Sequence, residues 1–173
     1  MRCVVFLRAI NTPGRRVKMH VLHDVVESAG NVKVQTFLAS GNLIIDSPDP
    51  VRAPIIENVI RAELGFSSNA FVRTDQELLD VVANVPTEND SGMFEIAFLD
   101  HPPPEAAASA LLDAATGRDR LTVIGSEIHW WRPLPLVPPY PKERTVRRLL
   151  DMESTRRTLR TVQRIVSTFI EQK

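Results

Sequence analysis

The fold follows from residues 32–46, which read VKVQTFLASGNLIID. In its first half, every second position carries a side chain that suits one face of a strand, namely Val32, Val34, Thr36 and Leu38. A second apolar run follows at 43–45, and between the two runs Ser40, Gly41 and Asn42 have the composition of a tight turn. The stretch therefore predicts a β-hairpin.

The segments on either side extend this hairpin into a larger unit. A short apolar strand is predicted over Arg2–Ala9, and a helix over Val17–Ala29, where apolar residues recur at helical spacing. After the hairpin, a second amphipathic helix ends at Gly65 and a short strand spans Ala70–Arg73. The order βαββαβ is that of a ferredoxin-like sandwich, an antiparallel sheet with both helices on one face.

The second half of the chain begins the same order again. Pro86–Gly92 is a polar connector and the predicted domain boundary, Met93–Leu99 is the next strand, and Pro102–Pro104 lead into an alanine-rich helix with Gly117 beyond its end. A hairpin at Gly125–Ser126 completes a second βαββ. A proline-rich, irregular segment and a long helix from Thr155 to Ile170 are predicted to follow, and Thr74 with Glu77 predicts a capping box for a third helix.

These patterns predict an α+β protein with two ferredoxin-like subdomains, antiparallel sheets and a C-terminal helical segment. The predicted domains are residues 1–86 and 92–173. At 173 residues and 43% hydrophobic, the chain is neither disordered nor a coiled rod, and it can bury a core without disulfides. Its one cysteine, Cys3, excludes a disulfide framework and a four-cysteine zinc site. No signal peptide or membrane span is apparent, so a cytoplasmic location is expected.

Charge is segregated along the chain although its sum is zero. Six basic and two acidic residues lie in 1–36, six basic and fifteen acidic in 37–139, and nine basic and four acidic in 140–173. The ends are therefore basic and the middle acidic. Either these segments neutralise each other in the fold, or a basic patch faces an anion; extended binding to duplex nucleic acid is disfavoured by the zero net charge.

Three local patterns occur together in the chain. They are Leu7-Arg8-Ala9-Ile10-Asn11 with Gly14 and Val17-Lys18-Met19, then Ser40-Gly41-Asn42, then Arg157 with Thr161-Val162. In order and spacing they resemble the bacterial domain of unknown function 1697 family. The resemblance implies an α+β protein with two ferredoxin-like parts and no known reaction. The chain departs from the family where Ala9 and Pro13 replace glycines, and where Thr158, Leu159 and Arg160 replace a typical Asn-Trp-Asn.

The strand–loop–helix junction from Arg8 to Lys18 is the main candidate site. A helix N-terminus attracts anions, and Arg15, Arg16 and Lys18 add three cations with no acid nearby in sequence. Arg8 and Asn11 are predicted to act as a guanidinium fork and an amide clamp on a carboxylate or phosphate. No P-loop or Gly-x-Gly-x-x-Gly spacing is present, and an ordinary solvated loop is the alternative.

The last predicted helix carries a second basic feature, since Arg157, Arg160 and Arg164 are predicted to share the face opposite its apolar stripe. This face is expected to be solvated, to dock on acidic residues, or to join the junction around one anion. The predicted ligand-binding residues are Arg8, Asn11, Gly14, Arg15, Arg16, Lys18, Ser40, Gly41, Asn42 and Arg157.

Three functions are compatible with the sequence. The preferred one is binding of a small anionic or phosphate-bearing ligand; the alternatives are an enzyme on an anionic substrate, with Arg8 as orienter and Asn11 or Ser40 as polar groups, and a dimeric interaction protein or nucleic-acid-contacting module. His20 and His23, three apart on the first helix, are read as solvated rather than as metal ligands, and Cys3 as a packing residue. No cofactor or membrane partner is predicted.

Overall fold

The computed structural model of the chain describes residues 1–30, 32–85, 92–115, 119–134 and 142–171. It divides into two compact units. The first comprises Met1–Leu79 together with the end of the chain from Ile165, and the second comprises Asp80–Arg164. Each unit contains one four-stranded antiparallel sheet, so the predicted fold class is confirmed.

The sheet of the first unit has the predicted βαββαβ order. Its elements are β1 (Arg2–Leu7), α1 (Met19–Ser28), β2 (Lys33–Phe37), β3 (Asn42–Asp46), α2 (Ala53–Leu64) and β4 (Ala70–Thr74). The strands lie in the order β2-β3-β1-β4, with β1 paired antiparallel to both β3 and β4. Helix α3 (Asp75–Ala83) follows β4 directly.

Alternate residues of β1 build the core of this unit, because successive strand side chains point to opposite faces of the sheet. Val5 and Leu7 are fully buried in one cluster with Leu22 of α1 and Ile60 of α2. The helical periodicity seen in the sequence therefore marks the faces of α1 and α2 that cover the sheet. Helix α2 ends as predicted at Gly65, whose φ of 72° is the left-handed cap conformation.

The second unit repeats the topology of the first. Its elements are β5 (Gly92–Leu99), α4 (Glu105–Ala114), β6 (Arg120–Ile124), β7 (Glu127–Pro133), α5 (Glu143–Leu150) and β8 (Ser154–Thr158). The strand order β6-β7-β5-β8 is the same arrangement as β2-β3-β1-β4. Trp130 of β7 is buried beside Leu99, Leu111 and Leu150, so both helices of this unit also cover one face of their sheet.

The predicted helix from Thr155 to Ile170 is wrong in its first part. Ser154–Thr158 forms strand β8, which pairs antiparallel with β5. Residues 96–99 of β5 are buried, so their backbone N–H and C=O groups need partners on both sides, and this requirement overrides the local helical pattern. Helix α6 (Leu159–Ile165) and a π-helical turn (Val166–Ile170) follow. That turn belongs to the first unit, whereas the sequence placed it in the second domain.

Other predicted details have mixed outcomes. The capping box of α3 is present: the backbone N–H of Thr74 donates to Glu77 Oε2 at 2.7 Å, and the N–H of Glu77 donates to Thr74 Oγ1 at 3.3 Å. Positions 86–91 of the connector, Gly117 and positions 135–141 lie outside the described residues. Within the described ranges, no helix has the length and apolar character needed to cross a membrane.

Candidate functional site: a basic loop cluster

Sheet topology brings three loops of the first unit to one end of the sheet. Because β1 is antiparallel to both neighbours, its last residues pair with the first residues of β3 and β4: Phe6 with Asn42, and Leu7 with Ala70. The β1–α1 loop (8–18), the β2–β3 turn (38–41) and the α2–β4 loop (65–69) therefore meet. We call these three segments the loop cluster.

Close backbone contacts join the β1–α1 loop to the β2–β3 turn. The N–H of Leu7 donates to the carbonyl O of Gly41 at 2.8 Å, and Asn11 Nδ2 donates to the carbonyl O of Ala39 at 2.8 Å. A Cβ added to Gly41 would lie 2.7 Å from Cγ1 of Ile10. The two sequence patterns on which the prediction depended, around Asn11 and around Gly41, are thus neighbours in the fold.

Asn11 has a positioning role. Its Nδ2 contacts Ala39, and its Oδ1 accepts a 2.7 Å hydrogen bond from the backbone N–H of Val17, just before α1. Its φ of 55° lies in the left-handed region, which Asn tolerates better than most residues. Both ends of the side-chain amide therefore have partners within the chain, and the group ties the loop to the β2–β3 turn and to the start of α1.

The side chains of the turn residues Ser40 and Asn42 also form hydrogen bonds within the chain. Asn42 is fully buried, and its Nδ2 donates to the carbonyl O of Phe37 at 2.7 Å and to Ser40 Oγ at 3.0 Å. Leu38 has a φ of 58° and Gly41 a φ of 75°. These residues shape the turn against which the β1–α1 loop rests.

Arg15 is held by neutral groups. Its guanidinium carbon lies 4.4 Å from the centre of the Phe66 ring, and Nη1 lies 3.4 Å from the carbonyl O of Ala9 and 3.3 Å from that of Ser67. Among the described residues, no carboxylate pairs with it. The side chain is therefore oriented while its positive charge remains uncompensated.

Arg16 and Lys18 are exposed cations beside Arg15. Within the described part of the chain, neither side chain has a hydrogen-bond or ion-pair partner. Lys18 is also the N-cap residue of α1, and its side chain caps none of the N–H groups of the first turn. The positive end of the α1 dipole thus coincides with Lys18.

A turn centred on Pro13 and Gly14 immediately precedes Arg15 and Arg16. The N–H of Arg15 donates to the carbonyl O of Thr12 at 2.9 Å, and Gly14 has a φ of 83°, as the third residue of a type II turn requires. Proline suits the second position of such a turn, so Pro13 fits the loop although the resemblance led to an expectation of glycine at this position. Ala9, where the resemblance also implied glycine, has a φ of 55° and bears the cost of a left-handed alanine.

The α2–β4 loop is a part of the cluster that the sequence did not suggest. The Ser68 hydroxyl donates to the carbonyl O of Arg8 at 2.7 Å, and the N–H of Arg8 donates to the carbonyl O of Asn69 at 2.9 Å. With Phe66 beneath Arg15, this loop supports the β1–α1 loop from the other side. The predicted antiparallel sheet could have indicated this loop, because antiparallel pairing of β1 with β4 brings the start of β4 to the end of β1.

Arg157 lies in the second unit, on strand β8, and the prediction that it shares an outer helix face with Arg160 and Arg164 is wrong. Its side chain is buried, and burial lowers the pKa of its guanidinium to about 10. Nη1 donates to Thr155 Oγ1 at 2.9 Å and to the carbonyl O of Arg156 at 2.8 Å. A strand turns alternate side chains to opposite faces, so Arg157 cannot follow helical spacing.

One histidine of α1, His23, has carboxylate neighbours. His23 Nδ1 lies 2.8 Å from Asp24 Oδ1, and Nε2 lies 3.6 Å from Glu27 Oε2. The hydrogen bond to Asp24 is the main reason that the pKa of His23 is raised. Where the structure describes the chain, it contains no group of three or more potential ligands with metal-binding geometry.

Comparisons with other proteins agree with this fold. The family model described as "Protein of unknown function (DUF1697)" matches residues 1–129. A solved structure titled "The structure of conserved bacterial protein SP0830 from Streptococcus pneumoniae" is similar, with 18% identity, a TM-score of 0.71, and coverage of 96% of this chain and 97% of that one. No curated protein matches the chain. The likeness to the pneumococcal protein shows the shared fold.

Proposed function

This chain belongs to the DUF1697 family of proteins of unknown function, and we propose that its first unit binds a small anionic or phosphate-bearing ligand at the loop cluster. The observation that carries the proposal is the setting of Arg15. Phe66 and two carbonyl oxygens hold its guanidinium in place without neutralising it. An oriented, uncompensated guanidinium is suited to a carboxylate or phosphate.

Neighbouring groups add to the positive potential at this point. Arg16 and Lys18 are exposed, and the uncapped start of α1 contributes the positive end of a helix dipole. Two hydrogen bonds of Asn11 hold the loop in its present course, so little of its freedom remains to be lost on binding. Backbone strain at Ala9, in the same loop, is typical of functional sites.

A small ligand fits better than a long nucleic acid. The net charge of the chain is zero, and the proposed site relies on three cations of the loop cluster, Arg15, Arg16 and Lys18. Neutralising three phosphates with these groups corresponds to a salt slope of about −3 in log affinity against log salt concentration. That is less than an extended duplex interface requires.

The same geometry favours binding over catalysis. Both ends of the Asn11 amide are engaged with the chain, and Ser40 Oγ accepts a hydrogen bond from Asn42. These hydrogen bonds give both groups a structural role. They maintain the shape of the loop that carries the cations.

Titration with inorganic pyrophosphate at low ionic strength tests the proposal. We expect saturable binding in isothermal titration calorimetry, weakened at least tenfold in the double variant Arg16→Ala, Lys18→Ala. The matched control is Arg144→Ala, Arg148→Ala, which removes two exposed cations from α5 and should bind like the unaltered protein. Absence of saturable binding, or equal weakening in both double variants, would contradict a site at the loop cluster.

A second variant separates orientation from charge. Replacing Phe66 by Leu leaves the net charge unchanged but removes the ring against which Arg15 lies. We expect affinity for pyrophosphate to fall about threefold to tenfold, with the midpoint of thermal unfolding measured in parallel. Unchanged affinity in a folded Phe66→Leu protein would show that the position of Arg15 does not matter for binding.

A further inference from the structure

A cavity of about 210 Å³ lies in the first unit, at the end of the sheet opposite the loop cluster. It lies where β3 ends and α2 begins, whereas the loop cluster lies where β3 begins. Three side chains that line it, Val26, Ile45 and Ile56, are buried, and two more, Val32 and Val51, are half-buried. The interior is therefore apolar and separate from the basic loops.

The size of the cavity suits one branched or aromatic side chain. An engineered protein cavity of about 150 Å³ lined by apolar residues stays dry and binds benzene. A volume of about 210 Å³ therefore accommodates a phenyl ring or an isobutyl group with its connecting carbon. Filling it would remove apolar surface of the exposed Ile55 and of the half-buried Val32 and Val51 from water.

Two opposite charges lie at the rim of this cavity. Asp49 and Arg52 both line it, and both residues are exposed. Within the described residues, neither side chain has a hydrogen-bond or ion-pair partner, and they do not pair with each other. The backbone N–H of Asp49 donates to Ser47 Oγ at 3.2 Å, which ties Asp49 to the residue that follows β3.

We propose that this cavity binds an α-amino acid with an apolar side chain. The side chain occupies the apolar interior, the ammonium group pairs with Asp49, and the carboxylate pairs with Arg52. The uncapped first turn of α2, for which Arg52 is the N-cap residue, adds a favourable potential for the carboxylate. A single carboxylic acid or amine would leave one of the two rim charges without a partner, whereas a zwitterion satisfies both.

Titration of the full chain with L-phenylalanine and L-leucine tests this inference. The controls are 3-phenylpropionate, which lacks the ammonium group, and phenethylamine, which lacks the carboxylate. We expect both amino acids to bind saturably, and both controls to bind at least tenfold more weakly than L-phenylalanine or not at all. Absence of binding by either amino acid, or equal affinity of a control compound and L-phenylalanine, would overturn the proposal.

Variants locate the binding. Asp49→Asn and Arg52→Gln should each weaken amino-acid binding at least tenfold, whereas Asp113→Asn and Arg148→Gln change exposed charges elsewhere and should leave it unchanged. Ala29 is exposed and lines the cavity, so Ala29→Leu should block it, with Ala106→Leu on α4 as the matched control.

The midpoint of thermal unfolding, measured for each of these variants, tests whether it folds. Equal affinity in the rim variants and their controls would place any binding elsewhere and overturn the assignment. The Arg16→Ala, Lys18→Ala protein should bind the amino acid normally, so a failure of the loop-cluster proposal is distinguishable from a failure of this one.

Discussion

The Oδ1 atom of Asn11 accepts a 2.7 Å hydrogen bond from the backbone N–H of Val17, six residues further along the chain. The same side chain donates to Ala39 in the β2–β3 turn. One amide group thus ties the end of β1 both to the start of α1 and to the neighbouring hairpin. The shape of the basic β1–α1 loop therefore depends on Asn11 and not on the cationic side chains that the loop carries.

Replacing Asn11 with Ala should lower the free energy of unfolding by about 2 to 3 kcal/mol. Two hydrogen bonds are lost, each worth about 1 kcal/mol, and alanine is less tolerant of a φ of 55°. Urea denaturation measures the change. Asn11→Gly restores the conformational tolerance but not the hydrogen bonds, so it should recover only part of the loss; full recovery would mean that the hydrogen bonds contribute nothing.

Gly41 and Gly14 form a matched pair for a test of close packing. Both have positive φ, but a Cβ at Gly41 meets Ile10 at 2.7 Å, whereas nothing lies within 4 Å of one at Gly14. Gly14→Ala should cost about 1 kcal/mol from backbone strain alone, and Gly41→Ala about 3 kcal/mol because Ile10 must also shift. Equal losses in chemical denaturation would show that the loop and the turn separate easily.

Burial raises the pKa of the Cys3 thiol to about 12, from 9.0 for an exposed thiol. At a pH between these two pKa values, the thiol loses its proton in the unfolded chain and keeps it in the folded chain. Stability should therefore be unaffected by Cys3 below pH 8 and fall above pH 9, by at most about 1.4 kcal/mol per pH unit.

Unfolding free energies measured from pH 8 to 11 for the natural chain and for Cys3→Ala isolate this contribution. Other groups titrate in the same range, so the difference in slope between the two proteins is the relevant quantity. The Cys3→Ala protein should lose stability less steeply. Parallel curves would show that the thiol ionises equally in the folded and unfolded chains.

An ion-pair network in the second unit should contribute more than a surface pair. Glu95 Oε2 lies 3.4 Å from Arg132 Nη1 and 3.5 Å from Arg156 Nη1, and the Arg132 side chain is only 7% exposed. Glu95→Gln should lower unfolding free energy by about 2 kcal/mol, since it leaves Arg132 with less compensating charge in a buried setting.

Arg147 supplies the control for that network. It pairs with Glu153 at 2.8 Å, but its side chain is 63% exposed. Arg147→Ala should change unfolding free energy by less than about 1 kcal/mol, as exposed pairs do. Thermal or urea unfolding of both proteins decides the comparison, and an equal or larger loss in Arg147→Ala would refute the role assigned to burial.

Local patterns of the sequence were sufficient for most elements of the fold. Alternation along residues 32–38, helical spacing in α1 and α2, and the caps at Gly65 and Thr74 each depend on neighbours within about four residues. They therefore predict the βαββαβ order of the first unit correctly. The sequence also shows that the β1–α1 loop is basic, because the charge of a side chain can be identified without knowing its tertiary contacts.

Tertiary structure alone decided what each loop and chain end contacts. Strand β8 forms because one edge of β5 needs a hydrogen-bonded partner strand. The periodicity of Ser154–Thr158 does not by itself indicate that these residues become that strand. Phe66 lies under Arg15 because antiparallel pairing brings distant loops to one end of the sheet. The cavity beside Asp49 and Arg52 likewise exists only because Val26 of α1 and Ile56 of α2, which are distant in sequence, pack near each other. Sequence periodicity reports which face of an element is buried, whereas contacts between distant segments depend on how those faces are assembled.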